Sequence, residues 1–240
     1  MTHPLDSVVW SSLTGPHRHL AEGAAGALRY PPDVSPFAAL APALSDSDQA
    51  DSDDRDDEHW AALTTLVGRG GVATLSGPAR TVARLPADWK IGLRLPGVQM
   101  IATQGLVSGP DPEAVLLEDE DVADMLDLVR RTEPGPFLAR TPEMGKYLGI
   151  RRDGALVAMA GERMHPPGWT EVSAVCTDPE FRGQGLAGRL IRAVAHGIRE
   201  RGETPFLHAA AGNTGAIGLY ESLGFVVRSR PEFFFLHAPT

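Results

Sequence analysis

Residues 175–188 read Val-Cys-Thr-Asp-Pro-Glu-Phe-Arg-Gly-Gln-Gly-Leu-Ala-Gly, and they predict a strand, a glycine turn and a helix in that order. The apolar run at residues 172–176 is typical of a buried strand, which Pro179 ends. Because Gly183 and Gly185 carry no side chains, backbone N–H groups there can point at one ligand. The N-terminus of the following helix adds positive potential at the same place. We therefore expect an anion site that fits a pyrophosphate group.

The segment after the turn predicts an amphipathic helix over residues 185–201. Its apolar residues recur at helical spacing and form one stripe: Leu186, Ala187, Leu190, Ile191, Val194 and Ile198. The opposite face is polar and carries Arg189, Arg192, His196 and Arg199. Gly202 follows directly, and glycine is the usual residue just beyond a helix C-terminus.

Two other nucleotide-binding motifs also place glycines before a helix. The phosphate loop of nucleoside triphosphatases requires Gly-Lys-Ser or Gly-Lys-Thr, whereas Arg189 follows Gly188 here. Residues 183–188 do match the Gly-x-Gly-x-x-Gly pattern of dinucleotide-binding folds. However, residues 178–182 separate the strand from the glycines, where that fold has a tight turn, and no strand ending in an acidic residue follows within about 20 residues. A dinucleotide-dependent oxidoreductase is therefore a disfavoured rival.

A second motif downstream separates these alternatives. Residues 182–187, Arg-Gly-Gln-Gly-Leu-Ala, resemble the Arg/Gln-x-x-Gly-x-Gly/Ala signature of the GCN5-related N-acetyltransferases (GNAT). Residues 216–225, Ala-Ile-Gly-Leu-Tyr-Glu-Ser-Leu-Gly-Phe, resemble the closing motif of the same superfamily, and Asn213 precedes them. The resemblance covers roughly residues 112–240, and from Trp169 onward it is most similar to the FR47-like branch.

The resemblance implies an α+β (mixed α/β) fold in which helices flank a mostly antiparallel central sheet. We expect residues 111–240 to form the acetyl-CoA-binding catalytic domain and residues 1–110 to form an extra N-terminal α+β lobe. That lobe is either a degenerate copy of half the same fold, extending the sheet, or an unrelated α+β unit. Its pattern predicts a helix over residues 57–67 and short strands over 72–75, 91–95 and 98–102, the last two divided by Pro96-Gly97.

Negative charge is concentrated in one segment of the chain. The 240 residues include 31 acidic and 22 basic ones, which gives a net charge of −9. Residues 46–58 alone hold eight acids and one arginine, or −7, so the remainder carries only −2. We expect this segment to be a mobile, solvated acidic loop, and the alternative is a docking surface for a basic partner. No basic face is present, so nucleic acid is not an expected partner.

Composition also indicates where the protein works. No apolar run is as long as a membrane span, and the N-terminus lacks the basic start and apolar core of a signal peptide, so we expect no membrane partner. Cys176 is the only cysteine, which suits a reducing compartment and excludes an intramolecular disulfide or a cysteine zinc site. We expect a cytoplasmic protein without bound metal, and we leave a homodimer open.

The resemblance further implies acetyl-CoA as cosubstrate and assigns its contacts. The backbone of Val175, Cys176 and Thr177 pairs with the pantetheine arm as an added strand would. The pyrophosphate lies against the residues of the glycine turn and the start of the helix: Arg182, Gly183, Gln184, Gly185, Leu186, Ala187 and Gly188. Asn213 matches a cofactor-contacting asparagine, although its position also suits a helix N-cap.

Acyl transfer to an amine needs a proton donor and a proton acceptor. Tyr220 matches the superfamily's tyrosine, which protonates the departing thiolate; its alternative role is packing. A phenol has an ordinary pKa near ~10, slightly above a thiol's ~8.5, so it can donate as charge develops. His208 is the first candidate for the general base, because imidazole ordinarily titrates near pH ~6.5. Related protein-N-terminus acetyltransferases have a glutamate at that place. Glu171 and Glu162 are rivals, acting directly or through water, and direct transfer makes a nucleophilic role for Cys176 the least favoured.

The expected function is that of an N-acyltransferase, which moves an acetyl group from acetyl-CoA directly to a primary amine. The acceptor is a small molecule, an amino acid or a peptide, and the sequence does not distinguish these. A non-catalytic CoA-binding sensor on the same fold is the alternative, although Tyr220 is present. We expect residues 134–147 to wall the acceptor side, with residues 165–169 between the strands.

Overall fold

The computed structural model describes residues 3–24, 26–42 and 49–240, and for residues 49–55 it describes the backbone alone. The N-terminal region contains a three-stranded antiparallel sheet in the order β1-β2-β3. Its strands are Glu22–Ala24 (β1), Ala27–Arg29 (β2) and Ala38–Leu40 (β3). Two helices pack against this small sheet, Val8–Leu13 (α1) and Gln49–Val67 (α2).

A nine-stranded sheet forms the centre of the described molecule, in the order β4-β12-β5-β10-β9-β8-β7-β6 with β11 beside β5. Its strands are Val72–Gly77 (β4), Lys90–Ala102 (β5), Val115–Leu117 (β6), Tyr147–Arg152 (β7), Ala155–Glu162 (β8), Trp169–Thr177 (β9), Thr204–Ala210 (β10), Phe225–Ser229 (β11) and Glu232–His237 (β12). The flanking helices are Val122–Thr132 (α3), Leu186–Glu200 (α4) and Thr214–Leu223 (α5). The expected α+β architecture is confirmed.

All pairings in this sheet are antiparallel except the one between β9 and β10. A parallel pair needs a crossover connection, and α4 supplies it. No helix in the described ranges is both long and apolar enough to cross a membrane.

Helix α4 covers one face of the sheet with the apolar stripe that the sequence predicts. Leu190, Ile191 and Ile198 are fully buried against residues of β8, β9 and β10. Burying each side chain of this size contributes about 1.5–3 kcal/mol relative to leaving it in water. This packing fixes the end of α4 against the end of β9, which is where the glycine turn lies.

The opposite face of the sheet is covered by two groups of residues. Helix α3 packs on β8 and β9 and buries Met125 and Leu128. The N-terminal residues form a second cluster that includes Leu5, Tyr30 and Phe37 and that contacts Phe206 of β10. The N-terminal region is therefore part of the cover over the central strands.

Strand β5 differs from its predicted form. The sequence predicts two short strands divided by Pro96-Gly97, and the structure has one strand of 13 residues. Pro96 pairs with Glu232 of β12, and Gly97 pairs with Ala210 of β10. The pairing with β12 ends at Pro96, and the pairing with β10 begins at Gly97. The missing N–H of Pro96 therefore removes few hydrogen bonds from the sheet. Strands from both sides of residue 110 thus belong to one sheet, while the predicted division into two domains stays a prediction.

The acidic segment also differs from its predicted form. Residues 46–48 lie outside the described residues, but α2 begins at Gln49, so residues 49–58 are helical and not a loop. Trp60 and Leu63 are buried in the cluster beneath α2 and anchor the C-terminal part of the helix. Acidic residues in the first turns favour the helix dipole, so the helix extends through them.

Candidate active site

Strands β9 and β10 pair over only three residues each and then separate. The pairing runs from Trp169 with Thr204 to Glu171 with Phe206. Beyond that point, β10 continues to pair with β5 on its other side, and the register gives residues 172–177 of β9 no partner in β10. The seam therefore opens toward the end of β9 that carries Val175, Cys176 and Thr177, and an extended ligand can pair with that backbone.

A bulge in β9 lies beside this opening. Gly161 pairs with Ser173, and Met159 pairs with Cys176. Moving two residues along β8 therefore corresponds to moving three residues along β9. Ala174 lies in the bulge with a φ of 50°, in the left-handed region that costs a non-glycine residue about 1–2 kcal/mol. Such bulges bend and twist a strand and occur next to active sites. The bulge therefore lies where β9 turns away from β10.

The glycine turn lies at the open end of the seam. Gly183 and Gly185 have φ values of 78° and 75°, which other residues adopt only with strain, and a Cβ added to either would meet nothing within 4 Å. Gly185 is the N-cap of α4, which begins at Leu186 and has no acidic residue in its first turn. The geometry leaves the N–H groups of this turn and of the first turn of α4 available to an anion. The guanidinium of Arg182 donates back to the carbonyl of Thr177 at 3.2 Å.

Helix α5 supplies Asn213 and Tyr220. The Asn213 side chain accepts a hydrogen bond from the Ala216 amide at 3.1 Å, so its capping role is confirmed. Tyr220 is buried against Phe225, with ring centroids 6.2 Å apart. Burial raises the pKa of Tyr220 to about 12, so the phenol stays protonated at neutral pH and can donate a proton.

Glu171 is the most enclosed acid of the site. Its carboxylate has no exposed surface, and it accepts hydrogen bonds from Arg163 Nε at 2.9 Å and Arg163 NH2 at 2.7 Å. His208 Nδ1 lies 2.7 Å from the same carboxylate. Burial alone raises the pKa of this carboxyl, but the Arg163 charge and the hydrogen bonds from His208 and Arg163 outweigh it and hold the pKa below its usual range. Glu171 is therefore ionised at neutral pH.

His208 is bonded through both ring nitrogens. Nδ1 faces the Glu171 carboxylate, and Nε2 lies 3.1 Å from the side-chain nitrogen of Gln99 on β5. The oxygen of Gln99 accepts from Arg228 at 2.8 Å, and Arg228 also donates to Asp6 at 2.6 Å. The ring lies edge-on to Phe206 and Phe233. We name the set Asp6, Arg228, Gln99, His208, Glu171 and Arg163 the buried polar chain, although Asp6, at its outer end, is exposed.

Glu162 lies apart from this chain. It ends β8, where Arg201 donates to its carboxylate at 2.9 Å and His165 lies 3.6 Å away. Arg201 follows the last residue of α4. The third base candidate is thus paired at the opposite end of α4 from the glycine turn.

Cys176 contributes a buried thiol to the cluster beneath α3. Burial raises the pKa of this thiol to about 11, which leaves it un-ionised and a poor nucleophile. In the ranges that the structure describes, no group of three or more His, Cys, Asp or Glu residues is placed to hold a metal ion.

N-terminal residues cover much of the expected acceptor wall. The His17 ring lies 3.0 Å from the carbonyl of Met144 and packs on the His165 ring, with centroids 4.7 Å apart. The hydroxyl of Thr141 donates to the carbonyl of Val34 at 2.7 Å. These contacts tie residues of the N-terminal region to both segments that the sequence predicts around the acceptor.

Four members of the buried polar chain are not predicted by the sequence: Asp6, Gln99, Arg163 and Arg228. Arg163 follows β8 without a motif, and Arg228 lies in a short strand between Val227 and Ser229. Gln99 carries the one available signal, since it is a polar residue inside the apolar run Val98–Ala102. A glutamine in the middle of a buried strand requires polar partners, and the sequence does not indicate which residues they are.

Known proteins match different parts of this chain. The family described as FR47-like protein matches residues 147–234. An N-alpha-acetyltransferase RimI from Mycobacterium tuberculosis is 37% identical over 100 residues, which are 39% of this chain and 62% of that protein. A mycothiol acetyltransferase from Thermomonospora curvata is 40% identical over 76 residues, 31% of this chain and 25% of that protein. The matches thus span less than two thirds of these curated relatives.

A solved structure matches over the full length. It comes from Novosphingobium aromaticivorans and is assigned to the GNAT family of acetyltransferases. It is 41% identical in sequence with a TM-score of 0.86, and the alignment covers 100% of both chains. Together with the open seam and the glycine turn, this similarity shows that the chain belongs to the GCN5-related N-acetyltransferase superfamily, in its FR47-like branch.

Proposed function

We propose that this protein transfers the acetyl group of acetyl-CoA directly to the primary amine of a small molecule. The observation that carries the proposal is the seam that opens between β9 and β10 and ends at the glycine turn. It offers an unpaired strand backbone and a helix N-terminus in line, which suit a ligand with an amide-containing arm and a pyrophosphate.

The residues present fit this cosubstrate. The backbone of residues 175–177 would pair with the pantetheine arm, and the N–H groups of residues 183–188 would hold the pyrophosphate. Gly183 and Gly185 leave space above the turn that a side chain would fill. Acetyl-CoA supplies the thioester, while the protein positions it and moves protons.

We assign the two proton transfers to Tyr220 and His208. The amine nitrogen attacks the thioester carbonyl carbon, a C–N bond forms and the C–S bond breaks. The amine displaces the Gln99 N–H from Nε2 of His208 and loses its proton to that nitrogen, and the departing sulfur takes a proton from Tyr220. Burial raises the pKa of Tyr220 to about 12, so the phenol is protonated at neutral pH, and the same burial makes it a weaker proton donor than an ordinary tyrosine.

Glu171 is better placed to orient His208 than to act as the base. Its oxygens already accept three hydrogen bonds, two from Arg163 and one from His208. A carboxylate with a lowered pKa is also a weak base. Glu162 is engaged by Arg201, so we assign it no catalytic role.

The cover over the acceptor wall favours a small acceptor. Residues of the N-terminal region bond to Thr141 and Met144 and pack on His165. A folded protein offering its N-terminus would need this surface free. A small amine needs only an opening beside the thioester.

Ligand binding and thiol release test the proposal. Acetyl-CoA should raise the melting temperature, and NAD should not. A panel of small amines, amino acids and N-terminal peptides is then compared by free-thiol release. We expect release with small amines. A melting temperature unchanged by saturating acetyl-CoA contradicts the proposed function, and stabilisation without thiol release from any acceptor indicates a CoA-binding sensor.

The pH profile tests the base. The rate should rise with pH along an acid limb as the base loses its proton, and His208→Asn should remove that limb while acetyl-CoA still stabilises the variant. A limb that survives in His208→Asn but disappears in Glu171→Gln or Glu162→Gln assigns the role to a carboxylate. If it survives in all three variants, the enzyme takes up amine that is already neutral.

A further inference from the structure

We propose that Gln99 is a positioning residue that fixes His208 in the neutral tautomer whose lone pair lies on Nε2. The inference rests on the proposed role of His208 as base. It starts from the buried polar chain, in which Gln99 joins β5 to β10 through its side chain.

The orientation of the Gln99 amide is fixed by its neighbours. Arg228 is a pure donor, so the group 2.8 Å from its guanidinium is the amide oxygen. The hydroxyl of Ser229 donates to the same oxygen at 3.3 Å. The nitrogen therefore faces the other way, and it donates to the carbonyl of Leu5 at 3.0 Å.

The second N–H of this amide points to His208. Since Gln99 Nε2 is a donor, Nε2 of His208 at 3.1 Å must be the acceptor and carry a lone pair. Nδ1 then carries the proton, which it donates to Glu171. The contacts on both sides of the ring agree on one neutral tautomer.

Glu171 alone would favour the doubly protonated ring. A buried carboxylate at 2.7 Å stabilises imidazolium, and two features oppose this. Arg163 neutralises the carboxylate, and the Gln99 amide would place donor against donor if Nε2 gained a proton. The charged groups of the buried polar chain around the ring are Glu171 from β9, Arg163 beyond β8, Arg228 from β11 and Asp6 from the N-terminus. Within that set Gln99 is the neutral group that bonds directly to Nε2.

Proton-coupled ¹⁵N spectra of the histidine rings test the inference without any substrate. The chain has eight histidines, and His208→Asn identifies the signals of residue 208 by their loss. At neutral pH the wild-type ring should show Nδ1 protonated and Nε2 unprotonated. Gln99→Glu should convert the ring to imidazolium, because a carboxylate accepts from both Arg228 and Nε2.

A second variant, Arg228→Met, should also favour the imidazolium form of His208. Arg228→Met removes a positive charge from the buried polar chain and the strongest donor to the Gln99 oxygen, so the imidazolium signature should again increase. Gln104→Glu makes the same chemical change as Gln99→Glu on an exposed residue just after β5 and should leave the ring unchanged. If Gln99 only supports the fold, thermal stability falls while the ring signals stay the same.

Kinetics complete the test. With Gln99→Glu, the acid limb should move to higher pH, and kcat/KM at neutral pH should fall by roughly tenfold or more, while acetyl-CoA stabilises the variant as before. A protonated Nε2 in the wild-type protein, or an unprotonated Nε2 in both variants, overturns the inference. Changed ring signals with an unchanged pH profile instead overturn the proposed base, so the two failures are distinguishable.

Discussion

The two ends of the seam between β9 and β10 are built in opposite ways. The open end is made by neighbours in sequence, residues 175–188, and it offers backbone groups without partners in the fold. The closed end brings together six side chains from distant parts of the chain, each bonded to the next: Asp6, Arg228, Gln99, His208, Glu171 and Arg163.

This difference follows from what each end is proposed to do. A phosphate can be held by N–H groups whose positions are fixed by local φ and ψ angles, so a short segment is enough. Proton transfer needs side chains with set protonation states, and these depend on burial and on partners from other strands. The variants below test the two ends separately, beginning with the largest expected effect.

Removing the negative charge of Glu171 at the closed end should destabilise the fold. Glu171→Gln leaves the Arg163 guanidinium buried without a counter-charge, so we expect a loss of about 3–5 kcal/mol in the free energy of unfolding. Chemical denaturation measures it. Glu113→Gln removes a solvent-exposed carboxylate that pairs with Arg152 and Arg189 at the surface, and it should change the midpoint far less. A loss below about 1 kcal/mol for Glu171→Gln would show that the ion pair is not needed for stability.

The stability that Glu171→Gln loses should depend on pH in a defined direction. The fold holds the pKa of Glu171 below its ordinary value of 4.5. Its contribution is therefore fully present above the unfolded pKa and is lost as the pH falls through the lower folded pKa. The stability difference between the wild-type protein and Glu171→Gln should shrink in acid, and a difference that grows there would contradict the assignment.

Tyr220→Phe tests the proposed proton donor between the two ends. We expect kcat to fall roughly tenfold to a thousandfold, with little change in the stabilisation by acetyl-CoA. Steady-state kinetics measure it. Tyr147→Phe is the matched control, because the hydroxyl of Tyr147 is buried without a hydrogen-bond partner in the described structure. Unaltered kcat in Tyr220→Phe would leave Tyr220 as a packing residue.

Gly185→Asp tests the open end. A carboxylate at this position would occupy the anion site, so most of the stabilisation by acetyl-CoA should disappear. That stabilisation is about 2.7 kcal/mol at a ligand concentration a hundredfold above Kd. Gly154→Asp places the same side chain at another left-handed glycine, in the turn between β7 and β8, and should retain the melting shift. Equal shifts in both variants would refute the phosphate site.

The smallest effect concerns Asn213. Asn213→Ala removes the cap of α5 and should cost about 1 kcal/mol of stability, while Asn213→Ser should recover most of it. Thermal unfolding compares the two. A KM for acetyl-CoA that rises in both variants indicates a cofactor contact in addition to the cap. No loss of stability in Asn213→Ala would show that the cap is dispensable.

The contrast between the ends also explains what the sequence could predict. Helix α4 and the glycine turn follow from local periodicity, and the predicted bounds of the helix, 185–201, agree with the structure to within one residue at each end. Tyr220 and Asn213 were found through a motif that a single helix carries.

The partners of His208 could not be predicted in the same way. Gln99 precedes it by 109 residues and is adjacent only through the pairing of β5 with β10. No local pattern specifies that pairing, because the two strands are far apart in the sequence. The cytoplasmic location, the homodimer and the roles of the individual site residues remain predictions.

The position of β5 has a consequence for how the chain folds. Its two neighbours, β10 on one side and β11 with β12 on the other, are formed by residues 204–237, more than 100 positions later in sequence. Closing such long loops costs conformational entropy before the stabilising strand contacts have formed. Pairings between distant segments therefore slow folding. During synthesis, both hydrogen-bonding edges of β5 stay unpaired until β10, β11 and β12 have been made. Because unpaired strand edges promote association between chains, this interval is when the nascent protein most needs a chaperone.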